Sequence, residues 1–526
     1  MRKNQLFLFI LCIVTTSSIL HATSPFDNLS LDNNRPKLAT PFQQTHPNAQ
    51  PSHIEVVSYT PEEISANLQK ILTTKSAQLN QIHNKTLLKR LYRQNNYQPL
   101  WIEQNGFGTR ASSLLRSVEN DITITTKSNI YQEYLFLSKY MKDKDIHKDL
   151  FSIELRLSQL HLDLLEHTLY GSINWKDFAR KLSAQKSKRI YANWVNYQPR
   201  YNLSELMLQP DVEATLQEIT PKNFGYSQLL QALKKLKQLE QNGGWEKLPR
   251  FKRLALGDQG DNVIKLRERL KQSGDYTACE QSSEQLFESE PTETVNTTFQ
   301  PEAVFGECLD RAVKTFQRRH GLEEDGIVGL GTQEAMNESV QSKIQRVLLN
   351  IDRIKWLPRD LTNRYLIVNI PDYMLYFIED NQVKEEMAVI VGDKRHPTPI
   401  FTNEISFIVL NPYWKVPDGI VKREIIPAMI KDPNYLTKEG LEIHTTWSED
   451  SPLIDPSWIY WDEYYRGIER FPYRIMQPPG NKNALGKIKF KFPNQFDVYL
   501  HDTPTKHLFP RSQRAFSHGC IRISKP

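Results

Sequence analysis

The sequence predicts a multidomain α+β protein: a helical scaffold, a small three-helix module, and a mixed β-sheet domain interrupted by a helical insertion. Three observations carry this. At about 100–200 residues per domain, a chain of 526 residues has room for roughly three. Apolar residues recur at helical spacing through the first two thirds, and alternate with period two from about Arg353. Between Asp418 and Pro472 the alternation lapses into a helical, aromatic-rich pattern.

The N-terminus is set apart from these modules. Met1-Arg2-Lys3 is basic, Leu6 to Val14 is an unbroken apolar run, and Ser17, Ser18 and Ala22 follow as small residues. That order is the layout of a secretory signal peptide, placed at 1–22. The run is far shorter than the ~20 apolar residues of a membrane-spanning helix, so no stable span is expected after cleavage. Residues 23–58 are rich in Pro, Asn, Gln, Ser and Thr without apolar periodicity and read as a disordered linker. The formal charge of +6 is weak for this length. It suits an anionic matrix and gives no nucleic-acid footprint.

Residues 59–245 read as the helical scaffold, with Leu68, Ile71 and Leu72, and later Leu155, Leu157, Leu160, Leu164 and Leu165, at helical spacing. Residues 246–340 form the small module. Val263, Leu266 and Leu270 define one helical face, and Leu309, Val313 and Phe316 another. In Asp325–Thr332 the glycines suit a tight turn, and Thr332 is expected to cap the helix that follows. An acidic insert, Glu280 to Glu302, separates the first two helices. Residues 341–526 form the β domain, with 418–472 inserted. Expected strands are Tyr365–Ile370, Met374–Ile378, Met387–Val391, Lys487–Phe492 and Phe496–His501. Lys487–Phe492 alternates strictly, giving one wet and one dry face.

Cysteine counting narrows the chemistry. Removing the leader removes Cys12 and leaves Cys279, Cys308 and Cys520. In an oxidising compartment an odd cysteine is a pairing partner or a reactive thiol. Cys279 and Cys308 flank one acidic stretch and are a candidate local disulfide, worth about 3 kcal/mol in favourable geometry. Cys520 is then free. It lies in Ser517-His518-Gly519-Cys520-Ile521-Arg522, after a strand ending at His501. A thiol ionises poorly near neutral pH, and an imidazole can take its proton. Amides around Gly519 can stabilise an oxyanion. A zinc site built from His501, His507, His518 and Cys520 is the sharper rival, but their spacing fits no common zinc pattern.

His501, fifteen intervening residues and Ser517-His518-Gly519-Cys520 together resemble the signature of L,D-transpeptidase catalytic domains. Pro478-Pro479-Gly480-Asn481-Lys482-Asn483-Ala484-Leu485-Gly486-Lys487 and His501-Asp502-Thr503-Pro504 are similar to its multidomain Gram-negative branch. Tyr97-Gln98-Pro99-Leu100-Trp101 resembles that branch's scaffold domain, and the Asp325–Thr332 turn with its helices resembles a peptidoglycan-binding module. The 418–472 insertion sits where the branch carries a capping lid.

The resemblance implies a periplasmic enzyme acting on peptidoglycan stem peptides and glycan without metal or cofactor. Cys520 would be the nucleophile and His501 the proton donor and acceptor, oriented by the backbone carbonyl of Asp502. His518 and Gly519 would shape the pocket and oxyanion site, and Arg522 would position substrate. Acylation by carbapenems is expected. Family members usually continue past the point where this chain stops, six residues after Cys520. The catalytic domain is therefore read as truncated at its C-terminus, and the alternative function is a non-catalytic peptidoglycan-binding protein.

Overall fold

A computed structural model describes residues 7–11, 59–74, 76–103, 106–141, 150–276, 301–380 and 382–526. The expected linker, Cys12, Cys279 and most of the acidic insert lie outside the described residues. So does the expected leader, apart from Phe7–Leu11.

The scaffold is built around one helix, Leu150–Tyr170, buried on nearly every side. Leu155, Leu162, Leu165 and Leu169 enter one apolar cluster. Ile153, Leu157, Leu160 and Leu164 enter a second on the opposite side. The leucine repeat read from sequence is thus two interleaved stripes, which is why it looks hydrophobic all round. Within this helix, buried Glu154 accepts from the backbone N–H groups of Leu100 (2.6 Å), Trp101 (3.1 Å) and Ile102 (3.0 Å) and from the Tyr92 hydroxyl (2.7 Å). Burial raises its pKa, and these donors pull the other way. The Tyr97–Trp101 segment therefore owes its shape to a carboxylate some fifty residues downstream. Satisfying the carboxylate is what makes its burial tolerable.

In the small module, helices Asp261–Ser273, Glu307–Arg319 and Leu330–Met336 enclose Val263, Leu266, Leu270, Leu309, Val313, Phe316 and Met336. Thr332 does not cap the last helix. Gly329 holds the cap position, and Thr332 is buried inside the first turn, with its hydroxyl against the Ile327 carbonyl. Gln317 explains the difference. It donates to Asp325 and Ile327 and accepts from the Gly326 N–H, so a side chain from the neighbouring helix organises the turn. Cys308 is disulfide-bonded, and its expected partner Cys279 lies outside the described residues. Cys520 is a free cysteine.

The β domain is built on a large mixed sheet. Its strands are β1 (Phe7–Leu11), β2 (Arg364–Asn369), β3 (Met374–Glu379), β4 (Gln382–Gly392), β5 (Thr402–Glu404), β6 (Phe407–Leu410), β10 (Ile488–Lys491), β11 (Leu500–His501), β12 (Ala515–Ser517) and β13 (Ile521–Ile523). They run in the order β5-β1-β2-β3-β4-β13-β11-β10-β6, with β12 also paired to β4. β1 lies parallel to β2 and antiparallel to β5. The insertion brings β7 (Trp414–Lys415), β8 (Glu442–His444) and β9 (Arg474–Gln477) into a separate three-stranded sheet. With short helices it encloses its own apolar cluster around Val421, Ile425, Ile426, Leu436, Ile443 and Ile475.

One expected strand is shorter than its apolar pattern. The strand expected at Phe496–His501 pairs only at Leu500–His501. Asn494 accepts from the Phe496 and Val498 N–H groups, and Asp497 takes a left-handed backbone, φ 54°. A turn therefore claims the backbone groups that a ladder would need. Among the described residues, no helix is long and apolar enough to cross a membrane.

Candidate active site

Three neighbouring strands fix the chemistry-bearing side chains by register. Lys489 of β10 pairs with His501 of β11, and His501 pairs with Arg522 of β13. Residues directly opposite one another share a sheet face. The alternate residues Phe490, Leu500 and Ile521 turn into the apolar cluster beneath. The wet face expected of Lys487–Phe492 is thus the face of the site. Tyr499, two residues before His501, joins the same side by the period of two. Lys489 Nζ lies 3.5 Å from the centre of its ring.

His501 is 4% exposed, and its Nδ1 lies 2.5 Å from the Asp502 carbonyl oxygen. A carbonyl only accepts, so Nδ1 carries the proton and Nε2 keeps its lone pair. Burial, opposed by that carbonyl and assisted by the charges of Arg522 and Lys489, lowers the imidazole pKa to about 3. The ring is therefore neutral at physiological pH. Asp502 is anchored in turn: its N–H donates to the Ile488 carbonyl (2.9 Å), and its carboxylate accepts from the Lys487 N–H (3.0 Å) and Lys506 Nζ (2.5 Å). Burial alone would raise that carboxyl's pKa, but these donors hold it below the ordinary value. Gly486 makes the approach possible, since a Cβ there would lie 2.3 Å from Asp502 Oδ2.

Cys520 is half-buried just before β13, its sulfur 3.9 Å from the Asp497 carbonyl. Burial pushes the thiol pKa up. Opposing it are hydrogen bonds from the Tyr499 backbone and hydroxyl and the charges of Lys489 and Arg522. The Trp414 side chain hydrogen-bonds the same tyrosine hydroxyl, so Tyr499 is oriented from behind. Burial also lowers the Lys489 pKa to about 8. Arg522 donates to Thr505 Oγ1 at 3.2 Å, while its buried Nε has no hydrogen-bond partner among the described residues.

The loop before the thiol is held from below. Ser517 Oγ donates to the Cys520 carbonyl (2.5 Å) and accepts from the Gly519 N–H (3.2 Å). Thr398 Oγ1 donates to the Gly519 carbonyl (2.9 Å). Gly519 sits at φ 114°, a conformation nearly closed to other residues. In a planar trans peptide the next N–H points opposite to the held carbonyl. The Cys520 amide is thus aimed away from Thr398. His518 projects from this loop: its Nε2 lies 2.7 Å from Glu424 Oε1 of the insertion, and its ring is tilted against His396 at 4.8 Å.

Of the residues singled out in the sequence, His501 and Arg522 pair across β11 and β13, Cys520 lies just before β13 against Tyr499, and His518 and Gly519 lie on the loop leading to it. His507 is not part of it. It is exposed on the short helix Lys506–Leu508. Among the described residues, no three His, Cys, Asp or Glu side chains gather as a metal-holding group. Sequence reasoning missed Tyr499, Lys489, Thr398 and Glu424. The first two were detectable as same-face neighbours of His501. The last two arrive from distant loops and leave no local signal.

A sequence model described as the L,D-transpeptidase catalytic domain matches residues 363–526, which include every residue of this site. The chain carries an L,D-transpeptidase catalytic domain. Ahead of it, a scaffold-domain model matches residues 86–233, and one named "Putative peptidoglycan binding domain" matches residues 259–336. A protein of Haemophilus influenzae named "Putative L,D-transpeptidase" is 36% identical over 181 residues, covering 34% of this chain and 35% of that protein. The chain thus spans about a third of the length of that curated relative. A solved L,D-transpeptidase fragment from Xylanimonas cellulosilytica matches 52% of this chain and 88% of its own at 15% identity. Its TM-score of 0.14 carries no structural argument.

Proposed function

We propose that this protein is an exported, wall-associated enzyme of the periplasm that cross-links peptidoglycan through a thioester on Cys520. Its L,D-transpeptidase catalytic domain and peptidoglycan-binding domain supply the reaction class and the polymer. One observation carries the assignment of roles: a histidine locked into one tautomer is in register with two cations whose charges also act on a free thiol that hydrogen-bonds Tyr499.

The thiol attacks the carbonyl of the third residue, a diamino acid, of a tetrapeptide stem. Because burial raises the thiol pKa and keeps His501 neutral, no ready-made ion pair waits in the resting enzyme. The proton passes from Cys520 Sγ to His501 Nε2 as the C–S bond forms. The Cys520 N–H receives the developing oxyanion. His501 returns the proton to the leaving amine of the terminal D-alanine. The amine of a second stem then attacks the thioester, gives its surplus proton to His501, and expels the thiolate, which takes that proton back. The product is a cross-link between two third residues. Arg522 binds a substrate oxygen, a role supported by its Nε having no hydrogen-bond partner among the described residues.

The test is covalent. Incubated with a carbapenem, the protein gains one adduct by intact mass, and Cys520→Ala gains none. An adduct on Cys520→Ala places the nucleophile elsewhere, and no adduct on the folded unsubstituted chain sinks the reading. Muropeptide composition of cells with and without the protein identifies the acceptor.

A further inference from the structure

Resting on the reading of Cys520 as nucleophile, we propose that Glu424 is a positioning residue: through His518 it fastens the 418–472 insertion to the loop that carries the thiol, so that seating the insertion and ordering that loop become one event.

The contact joins residues far apart in sequence, His518 Nε2 and Glu424 Oε1, at 2.7 Å. The insertion presents Glu424 on a widened helical turn, Val421–Ile425. Val421, Ile425 and Ile426 are buried in the insertion's own core, which leaves the glutamate facing outward. Pro427 follows and has no N–H to donate, so the regular helical ladder is broken there. Such wide turns are frequent at functional sites.

On the other side, His518 is backed by the sheet. Its ring rests against His396, whose N–H and Nδ1 both face Asp393 Oδ1 (2.7 and 3.2 Å). The Asp393 N–H donates to the Ser517 carbonyl (2.9 Å). His518 is therefore gripped between the floor of the loop and the insertion. It is separated from Cys520 only by Gly519, whose positive-φ backbone is held at both its N–H and its carbonyl, so a shift of His518 is passed on to the thiol.

The magnitude argues for coupling and against mere fastening. Both partners remain partly exposed, at 38% and 47% of their side chains. An exposed pair of this kind shifts an equilibrium only about two- to five-fold. That is too little to lock the insertion in place, yet enough to bias whether it is seated against the thiol loop.

The experiment uses the full chain with Glu424→Ala, Glu424→Gln, His518→Ala and the double variant Glu424→Ala/His518→Ala. Acylation by a carbapenem is resolved into its initial binding and limiting-rate components. Amide hydrogen exchange is followed in parallel over 418–431, 517–521 and the scaffold. Glu424→Ala should lower the limiting acylation rate about two- to five-fold with initial binding unchanged. It should also speed exchange in the insertion and the thiol loop together, while the scaffold stays unchanged. Glu424→Gln, which keeps an oxygen acceptor for Nε2–H, should recover part of both effects, and the double variant should be no worse than His518→Ala alone. Additive losses, or an unchanged thiol loop in the exchange data, overturn the proposal. A chain that never acylates but still shows the coupled exchange would remove the functional reading and leave the positioning role standing.

Discussion

Replacing Tyr499 with Phe isolates a single hydroxyl and tests how the thiol is activated. The ring that lies under Lys489 Nζ is retained, so the substitution preserves the cation's seat and the packing. What disappears is the hydroxyl's hydrogen bond to Cys520, one of the contacts that offset burial and draw the thiol pKa down. A hydrogen bond to a charged group contributes about 1.5–3 kcal/mol, and 1.36 kcal/mol is one pKa unit. The thiol should therefore titrate higher in Tyr499→Phe. At any pH well below its midpoint, the thiolate fraction falls about 10- to 100-fold. The Trp414 side chain loses its partner in the same change, which should cost stability by about 1 kcal/mol. The assay is the rate of Cys520 alkylation by iodoacetamide against pH, with carbapenem acylation in parallel. The titration midpoint should move up, with the high-pH alkylation rate nearly unchanged. If the midpoint stays in place while acylation falls, Tyr499 acts on the substrate and not on the thiol. If neither changes, the hydroxyl has no part in the site.

Three further outcomes follow from buried groups and close contacts. Gly486→Ala places a Cβ 2.3 Å from Asp502 Oδ2 at φ 59°, so it should displace the carbonyl that holds His501 and slow acylation by about tenfold or more; a rate equal to the unsubstituted chain would show that this anchor is dispensable. Burial holds His161 and His501 at about 3 and His320 at about 2, below the ordinary 6.5. The unfolded chain binds protons first as pH falls, so the stability each contributes is whole above about pH 6.5 and drains toward pH 3. At pH 5 the loss is about 2 kcal/mol per histidine, and thermal melting that does not move between pH 7 and 5 would contradict it. Reducing the disulfide of Cys308 should destabilise the small module by about 3 kcal/mol while leaving Cys520 acylation intact; non-reducing peptide mapping then tests Cys279 as its partner.

Local rules made much of the architecture legible. The two helical faces of the small module were readable because each contributes one apolar stripe to one core, and three consecutive hits at helical spacing suffice. Thr332 was misread for the opposite reason. Its position at the end of a glycine-rich turn matches a cap, but the turn is organised by Gln317 from a neighbouring helix, and no local pattern encodes that. The strand at Phe496–His501 was drawn too long because Phe496 and Val498 are apolar. Asn494 had already claimed their N–H groups, and a side chain that competes for backbone partners is invisible to periodicity. Glu154 shows the same limit from the other direction: an acid amid leucines reads as an interruption until the three N–H groups it receives are in place.

At the site, the sequence located the thiol and the histidine but not the electrostatics that decide their protonation. A Cys–His pair suggests a thiolate–imidazolium couple. The fold argues otherwise, because it buries His501 between Lys489 and Arg522 and so makes its cationic form costly, while the same two cations favour the thiolate. Those opposing demands are reconciled if the histidine carries its proton only briefly, during bond formation, when charge on the oxyanion offsets the added positive charge. A site arranged this way gains little reactivity toward small electrophiles at rest and reserves it for a seated acyl donor. Register explains how it is built: once β10, β11 and β13 align Lys489, His501 and Arg522 across one face, the cations cannot be moved away from the histidine without slipping a strand and turning the core residues Phe490, Leu500 and Ile521 into water.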